Sequence, residues 1–128
     1  MDFGLAARRI RPLCLTGPYG APEVWSPKEA AVSNPASADI YSFGCVAYEL
    51  LTSEVLFQAS TTTAQILAHA IHDGAPPGIE ALSRRAPEVG SLLRRCLRRQ
   101  PRSRTNASAL RAQLGAIAKR FQTRTWPL

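Results

Sequence analysis

One segment constrains the fold more than any other: residues 37–52, SADIYSFGCVAYELLT. Ile40, Phe43, Val46, Ala47, Leu50 and Leu51 recur at three- and four-residue spacing, the period of an α-helix. Most remaining positions are apolar too, and a helix apolar on most sides is a buried helix. A chain of 128 residues is long enough for one core, so other elements must wrap this helix. The stretch from Ile40 to Leu51 carries Ser42 and Glu49 and is too short to span a bilayer.

The wrapping elements also read as helices. Ser26-Pro27-Lys28-Glu29 is a helix start: Ser26 caps, Pro27 suits the first helical position and Glu29 completes a capping box. A second helix is expected from Ser60 to Asp73, capped by Ser60 or Thr61 and stopped by Gly74. A third starts near Pro87 and lines up Val89, Leu92, Leu93, Cys96 and Leu97; a fourth follows Thr105 and aligns Ala107, Leu110, Leu114, Ile117 and Phe121. No strand of convincing length and no internal repeat is present, so the fold class is all-α. Residues 5–25, with Pro12, Gly17, Pro18, Gly20 and Pro22, have no sustained period and read as one long loop, a length that usually signals function.

The formal charge of +7 raises the question of nucleic acid. Arg94, Arg95, Arg98 and Arg99 alternate with Leu92, Leu93, Cys96 and Leu97 and form the wet side of an amphipathic helix. No aromatic residues are interleaved with them, so a solvated face is preferred over a nucleic-acid footprint and no nucleic-acid partner is expected. The cysteines, Cys14, Cys45 and Cys96, are odd in number and widely spaced, which favours reduced core thiols over a disulfide framework. Met1 is followed at once by a carboxylate and then by basic residues, with no signal-peptide segment. The expectation is a soluble, cytoplasmic protein with no membrane partner.

Four separated segments then resemble, in order, the eukaryotic-type protein kinases. Asp2-Phe3-Gly4 is similar to the magnesium loop that opens the activation segment, and Ala21-Pro22-Glu23 to the triplet that closes it. Residues 39–52 resemble the central helix of the large lobe, with a Tyr-Ser-Phe-Gly wording met in the tyrosine-kinase-like group of Ser/Thr kinases. Residues 93–104 resemble the late segment whose final Arg pairs with the Glu of the closing triplet. The likeness runs from Met1 to about Leu114. It implies an activation segment at 1–25, a helical C-lobe at 26–121 and a tail at 122–128. The chain looks like the C-terminal part of a catalytic domain, and Met1 fits an internal position of it.

The resemblance also assigns roles. Asp2 would chelate Mg²⁺ on the phosphates of ATP, although in the isolated chain an exposed terminal carboxylate is the preferred reading, since Mg²⁺ needs further carboxylates and phosphates. Thr16, Gly17, Pro18 and Tyr19 look like the substrate-binding loop. A Thr at this place, without the basic-aromatic pair of tyrosine kinases, implies Ser/Thr specificity, against the plainer reading of Thr16 as a loop hydroxyl. Leu15 stands where Gly is common and Gly20 where Met is common, a departure in this same pocket. Glu23 and Arg104 would form a buried pair. Asp39 would need partners, which the family's catalytic loop supplies; its rival role is to face the helix dipole. His69 and His72 lie one turn apart without further ligands and read as surface residues rather than a metal site. Trp25 and Trp126 are expected to pack.

The sequence holds no Gly-rich phosphate cover, no strand Lys with its Glu, and no catalytic-loop Asp or Asn. Phosphoryl transfer needs these groups together, so the chain alone is expected to be inactive while its parent domain uses ATP and Mg²⁺. The implied partners are a protein substrate and the kinase N-lobe. The alternative is a noncatalytic kinase-like module that binds protein through residues 56–85.

Overall fold

The computed structural model describes residues 18–122, and among them there are helices and turns but no strand. A 3-10 turn at Pro22–Trp25 leads to α1 (Pro27–Val32), α2 (Pro35–Thr52), α3 (Thr62–Ile71), α4 (Pro77–Arg85) and α5 (Pro87–Cys96). A second 3-10 turn at Pro101–Ser103 precedes α6 (Ala107–Phe121). The all-α expectation holds.

Local chemistry sets the starts. The Ser26 hydroxyl accepts a hydrogen bond from the Glu29 amide, and Pro27 fills the first position of α1. α2 begins two residues earlier than its apolar period suggested, because Asn34 caps the Ala36 amide and Pro35 is preset for the first turn. Thr61 and Asn106 cap α3 and α6 in the same way.

The main core places Tyr41, Cys45 and Tyr48 of α2 against Ile79 and Leu82 of α4 and Leu93 of α5. Ala21 and Val24, from the chain before α1, are fully buried in the same cluster. A second cluster joins Ile40 of α2, Leu92 and Cys96 of α5 and Leu110 of α6. Burial raises the thiol pKa of both Cys45 and Cys96, the latter to about 11, which leaves them as protonated, inert core groups.

Three features differ from the sequence expectation. α2 is not enclosed all round: Val46 is 41% and Leu50 67% exposed, so one edge of the central helix is unpartnered among the described residues. α4 had no counterpart in the reading of the sequence. It packs so closely on α5 that a Cβ at Gly90 would collide with Ser83, and only glycine permits the approach. The third is His69, whose burial belongs with the site below. Arg95, Arg98 and Arg99 face solvent, and Arg94 is half-buried.

Candidate functional site

Of the residues singled out in the sequence, Asp2, Phe3, Gly4, Thr16 and Gly17 lie outside the described residues, as does Cys14. Pro18, Tyr19, Glu23, Asp39 and Arg104 lie within them. The structure brings Tyr19, Glu23 and Arg104 together against α2, sets Pro18 by His69 of α3, and leaves Asp39 apart from them.

Arg104 is the hub. Its Nη1 and Nη2 donate in parallel to the two carboxylate oxygens of Glu23, at 2.6 and 2.8 Å. Nη1 also donates to the Ser37 carbonyl, Nη2 to the Arg99 carbonyl and Nε to the Arg98 carbonyl. All five N–H donors of the guanidinium are therefore used. The Arg98 and Arg99 carbonyls lie just past the end of α5, where helices leave acceptors without intrahelical partners. The Arg104 side chain is fully buried and that of Glu23 3% exposed, and the guanidinium lies 4.9 Å from the centre of the Tyr41 ring. One side chain thus ties the closing triplet to α2 and to the exit of α5.

Tyr19 is held at both ends. Its hydroxyl donates to Glu49 Oε2 at 2.5 Å, and its carbonyl accepts from Ser42 Oγ at 2.8 Å. The bond to Glu49 is the main cause that raises the phenol pKa. Next to it, a Cβ at Gly20 would stand 2.8 Å from the Trp25 indole, so the departure at Gly20 gives the indole its space. Ser42 and Glu49 had not been assigned this role. Their signal was present: they are the polar interruptions of the apolar stretch and stand seven residues apart, hence on one helix face.

His69 corrects the sequence reading. It is fully buried, not a surface residue, because α3 turns it inward beneath the segment at 18–25. Its Nδ1 lies 2.6 Å from the Tyr41 hydroxyl, and Phe57 meets the imidazole edge-on at 4.7 Å between ring centres. Desolvation lowers its pKa to about 4, with the Pro18 carbonyl acting in the opposite sense. Nε2 is buried without a hydrogen-bond partner among the described residues. His72 stacks on Phe57. No group of three or more potential ligands for a metal occurs among the described residues.

Asp39 lies on the exposed edge of α2 with no hydrogen-bond or ion-pair partner among the described residues, and partial desolvation raises its pKa. The arrangement as a whole is a clamp. Its charged groups at Glu23 and Arg104 neutralise each other, and what they hold is the backbone of residues 18–25.

Comparison with known proteins agrees with this geometry. Residues 1–114 match the protein kinase domain family. The chain is 34% identical over 110 residues to the probable serine/threonine-protein kinase WNK5 of Oryza sativa subsp. japonica, covering 85% of this chain and 32% of that protein. It is 34% identical over 128 aligned positions to the serine/threonine-protein kinase PknB of Mycolicibacterium smegmatis, covering 89% of this chain and 19% of that protein. A probable serine/threonine-protein kinase of Clostridium acetobutylicum, CA_C1728, is 31% identical over 125, covering 94% of this chain and 19% of that protein. The chain therefore spans a third or less of the length of these relatives. With the ordered motifs, the all-helical body and the clamped closing triplet, the match over residues 1–114 places the chain in the protein kinase domain family.

Proposed function

We propose that this chain is the substrate-positioning half of a Ser/Thr protein kinase domain, one that transfers phosphate from Mg-ATP to protein Ser or Thr. The observation that carries the reading is the clamp: Glu23 and Arg104 fix the closing triplet while Ser42 and Glu49 fix Tyr19, so the described stretch from Tyr19 to Glu23 is anchored at both ends. Geometry of this kind serves a reaction whose catalysis is largely positioning and electrostatics. The named activities of the relatives support the same reading.

In this proposal Asp2 holds Mg²⁺, residues 16–19 receive the peptide beside the target hydroxyl, and Asp39 meets the catalytic loop of the parent domain. Residues 1–25 form the activation segment, 26–121 the helical C-lobe and 122–128 the tail. ATP and Mg²⁺ bind tightly only when an N-lobe and catalytic loop are supplied, and the parent works in the cytoplasm without a nucleic-acid partner. No described helix is long and apolar enough to cross a membrane. A second reading, a noncatalytic protein-binding module, draws on the outward Leu67 and Ile71 of α3, 58% and 74% exposed.

The test joins the chain to the upstream part of a related kinase, from its N-lobe through its catalytic loop. The fusion is expected to phosphorylate Ser/Thr peptides, and the 128-residue chain alone to give no transfer and no micromolar Mg-ATP binding by calorimetry. A folded fusion that binds Mg-ATP yet transfers nothing favours the binding module, and one that modifies only Tyr peptides overturns the specificity.

A further inference from the structure

Two buried ring nitrogens beside residues 18–20 have no hydrogen-bond partner among the described residues: Nε2 of His69 and Nε1 of Trp25. The indole nitrogen can only donate. For His69 the tautomer follows from its neighbour. Burial raises the Tyr41 phenol pKa, so the phenol keeps its proton, and among the described residues its hydroxyl meets only His69 Nδ1, at 2.6 Å. Nδ1 therefore accepts, and the neutral ring carries its own proton on Nε2. Both nitrogens are buried donors without acceptors, a costly and uncommon condition.

The same short stretch of backbone holds two unmatched acceptors. The carbonyls of Pro18 and Gly20 accept no hydrogen bond among the described residues, whereas that of Tyr19 between them accepts from Ser42. The Pro18 carbonyl is near enough to the imidazole to raise its pKa against desolvation, yet no hydrogen bond closes at Nε2. Gly20 runs so close to the indole that a Cβ there would stand 3.0 Å from Nε1. Ser42 and Glu49 fix Tyr19, but the peptide planes on either side of it can still turn about soft dihedrals.

We propose that residues 18–20 have a second seat, taken when a peptide substrate is bound, in which the Pro18 carbonyl accepts from His69 Nε2–H and the Gly20 carbonyl from Trp25 Nε1–H. The proposal rests on the Ser/Thr kinase reading above for the identity of the peptide. A peptide lying over the loop takes water away from the half-exposed Pro18, and the waiting imidazole then becomes the best partner for its carbonyl. The coupling is reciprocal, so the two donors raise the affinity for the peptide that favours the seat. His69 and Trp25 are thus positioning residues that act through the backbone at 18–20 without touching the substrate.

The first measurement uses the full 128-residue chain at pH 7. Long-range ¹H–¹⁵N spectra of His69 should show a proton on Nε2 and none on Nδ1; the reverse tautomer overturns the proposal, because the imidazole then offers Pro18 no donor. The second uses the fusion with the upstream part of a related kinase. His69→Phe and Trp25→Phe keep a ring and lose the N–H, and each is expected to raise the peptide KM about three- to tenfold, the worth of one hydrogen bond, with KM for Mg-ATP unmoved. His69→Gln carries an amide N–H near the place of Nε2 and should return KM to the parent value, a rescue that packing alone does not give. A parent-like peptide KM in both ring variants, or no rescue by His69→Gln, overturns the proposal and leaves the kinase reading intact. A folded fusion that binds the peptide but transfers nothing counts against the kinase reading instead. The peptide Kd by calorimetry then replaces KM, and the same ratios between variants decide the seat.

Discussion

Arg104 and Glu23, 81 positions apart in the chain, meet side by side through two parallel N–H···O bonds and exclude water from both charges. A pair of this kind is strongly felt when broken, because the surviving partner is left buried and uncompensated.

Arg104→Ala is therefore expected to lower the unfolding free energy by about 3–5 kcal/mol, a large share of a domain's roughly 5–15. Arg104→Lys should fail to rescue it, since an ammonium has three donors and no planar fork for the carboxylate and three carbonyls now served. Urea denaturation measures both. A midpoint for Arg104→Lys within error of the parent would contradict the role given to the fork.

A second expectation concerns acid. The folded chain holds His69 neutral with a pKa of about 4, whereas an unfolded histidine titrates near 6.5. Between these values the unfolded chain binds more protons, so stability falls as pH drops through that window and is fully present above it. The loss amounts to roughly 2–4 kcal/mol at 1.36 kcal/mol per pKa unit. Denaturation midpoints at pH 7 and pH 5 for the parent and His69→Phe should diverge, with the flatter profile in the variant. Parallel profiles would show that His69 does not carry the dependence.

Tyr41→Phe removes the hydroxyl from His69 Nδ1 and leaves that nitrogen buried alone. The expected cost is about 1–3 kcal/mol, with Tyr19 and Gly20 among the residues whose amides gain exchange. A cost below about 0.5 kcal/mol would show that the imidazole finds another partner.

Leu50→Lys should behave in the opposite manner. Leu50 is two-thirds exposed on the unpartnered edge of α2, so the denaturation midpoint should move by no more than about 0.5 kcal/mol while aggregation at high concentration declines. A loss of several kcal/mol would mean that this edge is covered in solution.

Much of this architecture was legible in the chain, and the failures share a cause. The caps at Ser26 and Thr61 and the apolar stripe of α5 are local signals, and they read directly. α4 was missed because Pro76, Pro77 and Gly78 look like a break and only Ile79 and Leu82 mark its inner face. His69 was misplaced because a pair of histidines one turn apart carries no local sign of burial. Its partner, Tyr41, stands 28 positions earlier, and the lid above it comes from residues near 18. The exposed edge of α2 was hidden for the opposite reason: its residues are apolar, and composition does not say which neighbours are there to cover them. At the clamp, Glu23 and Arg104 were found through family resemblance, whereas Ser42 and Glu49 had to be seen touching Tyr19.

The distance in sequence between the two halves of the clamp also sets a clock. At elongation rates of about 5–20 residues per second, roughly 4–16 s separate the synthesis of Glu23 from that of Arg104. During that interval α1 and α2 exist, but the carboxylate has no guanidinium to meet and the carbonyl of Ser37 lacks its second donor. Until then the segment at 18–25 is held only where Tyr19 meets Ser42 and Glu49, and the closing triplet at Glu23 is among the last parts of the chain to be fixed. A nascent chain halted before residue 104 would carry both anchors of Tyr19 and neither donor for Glu23.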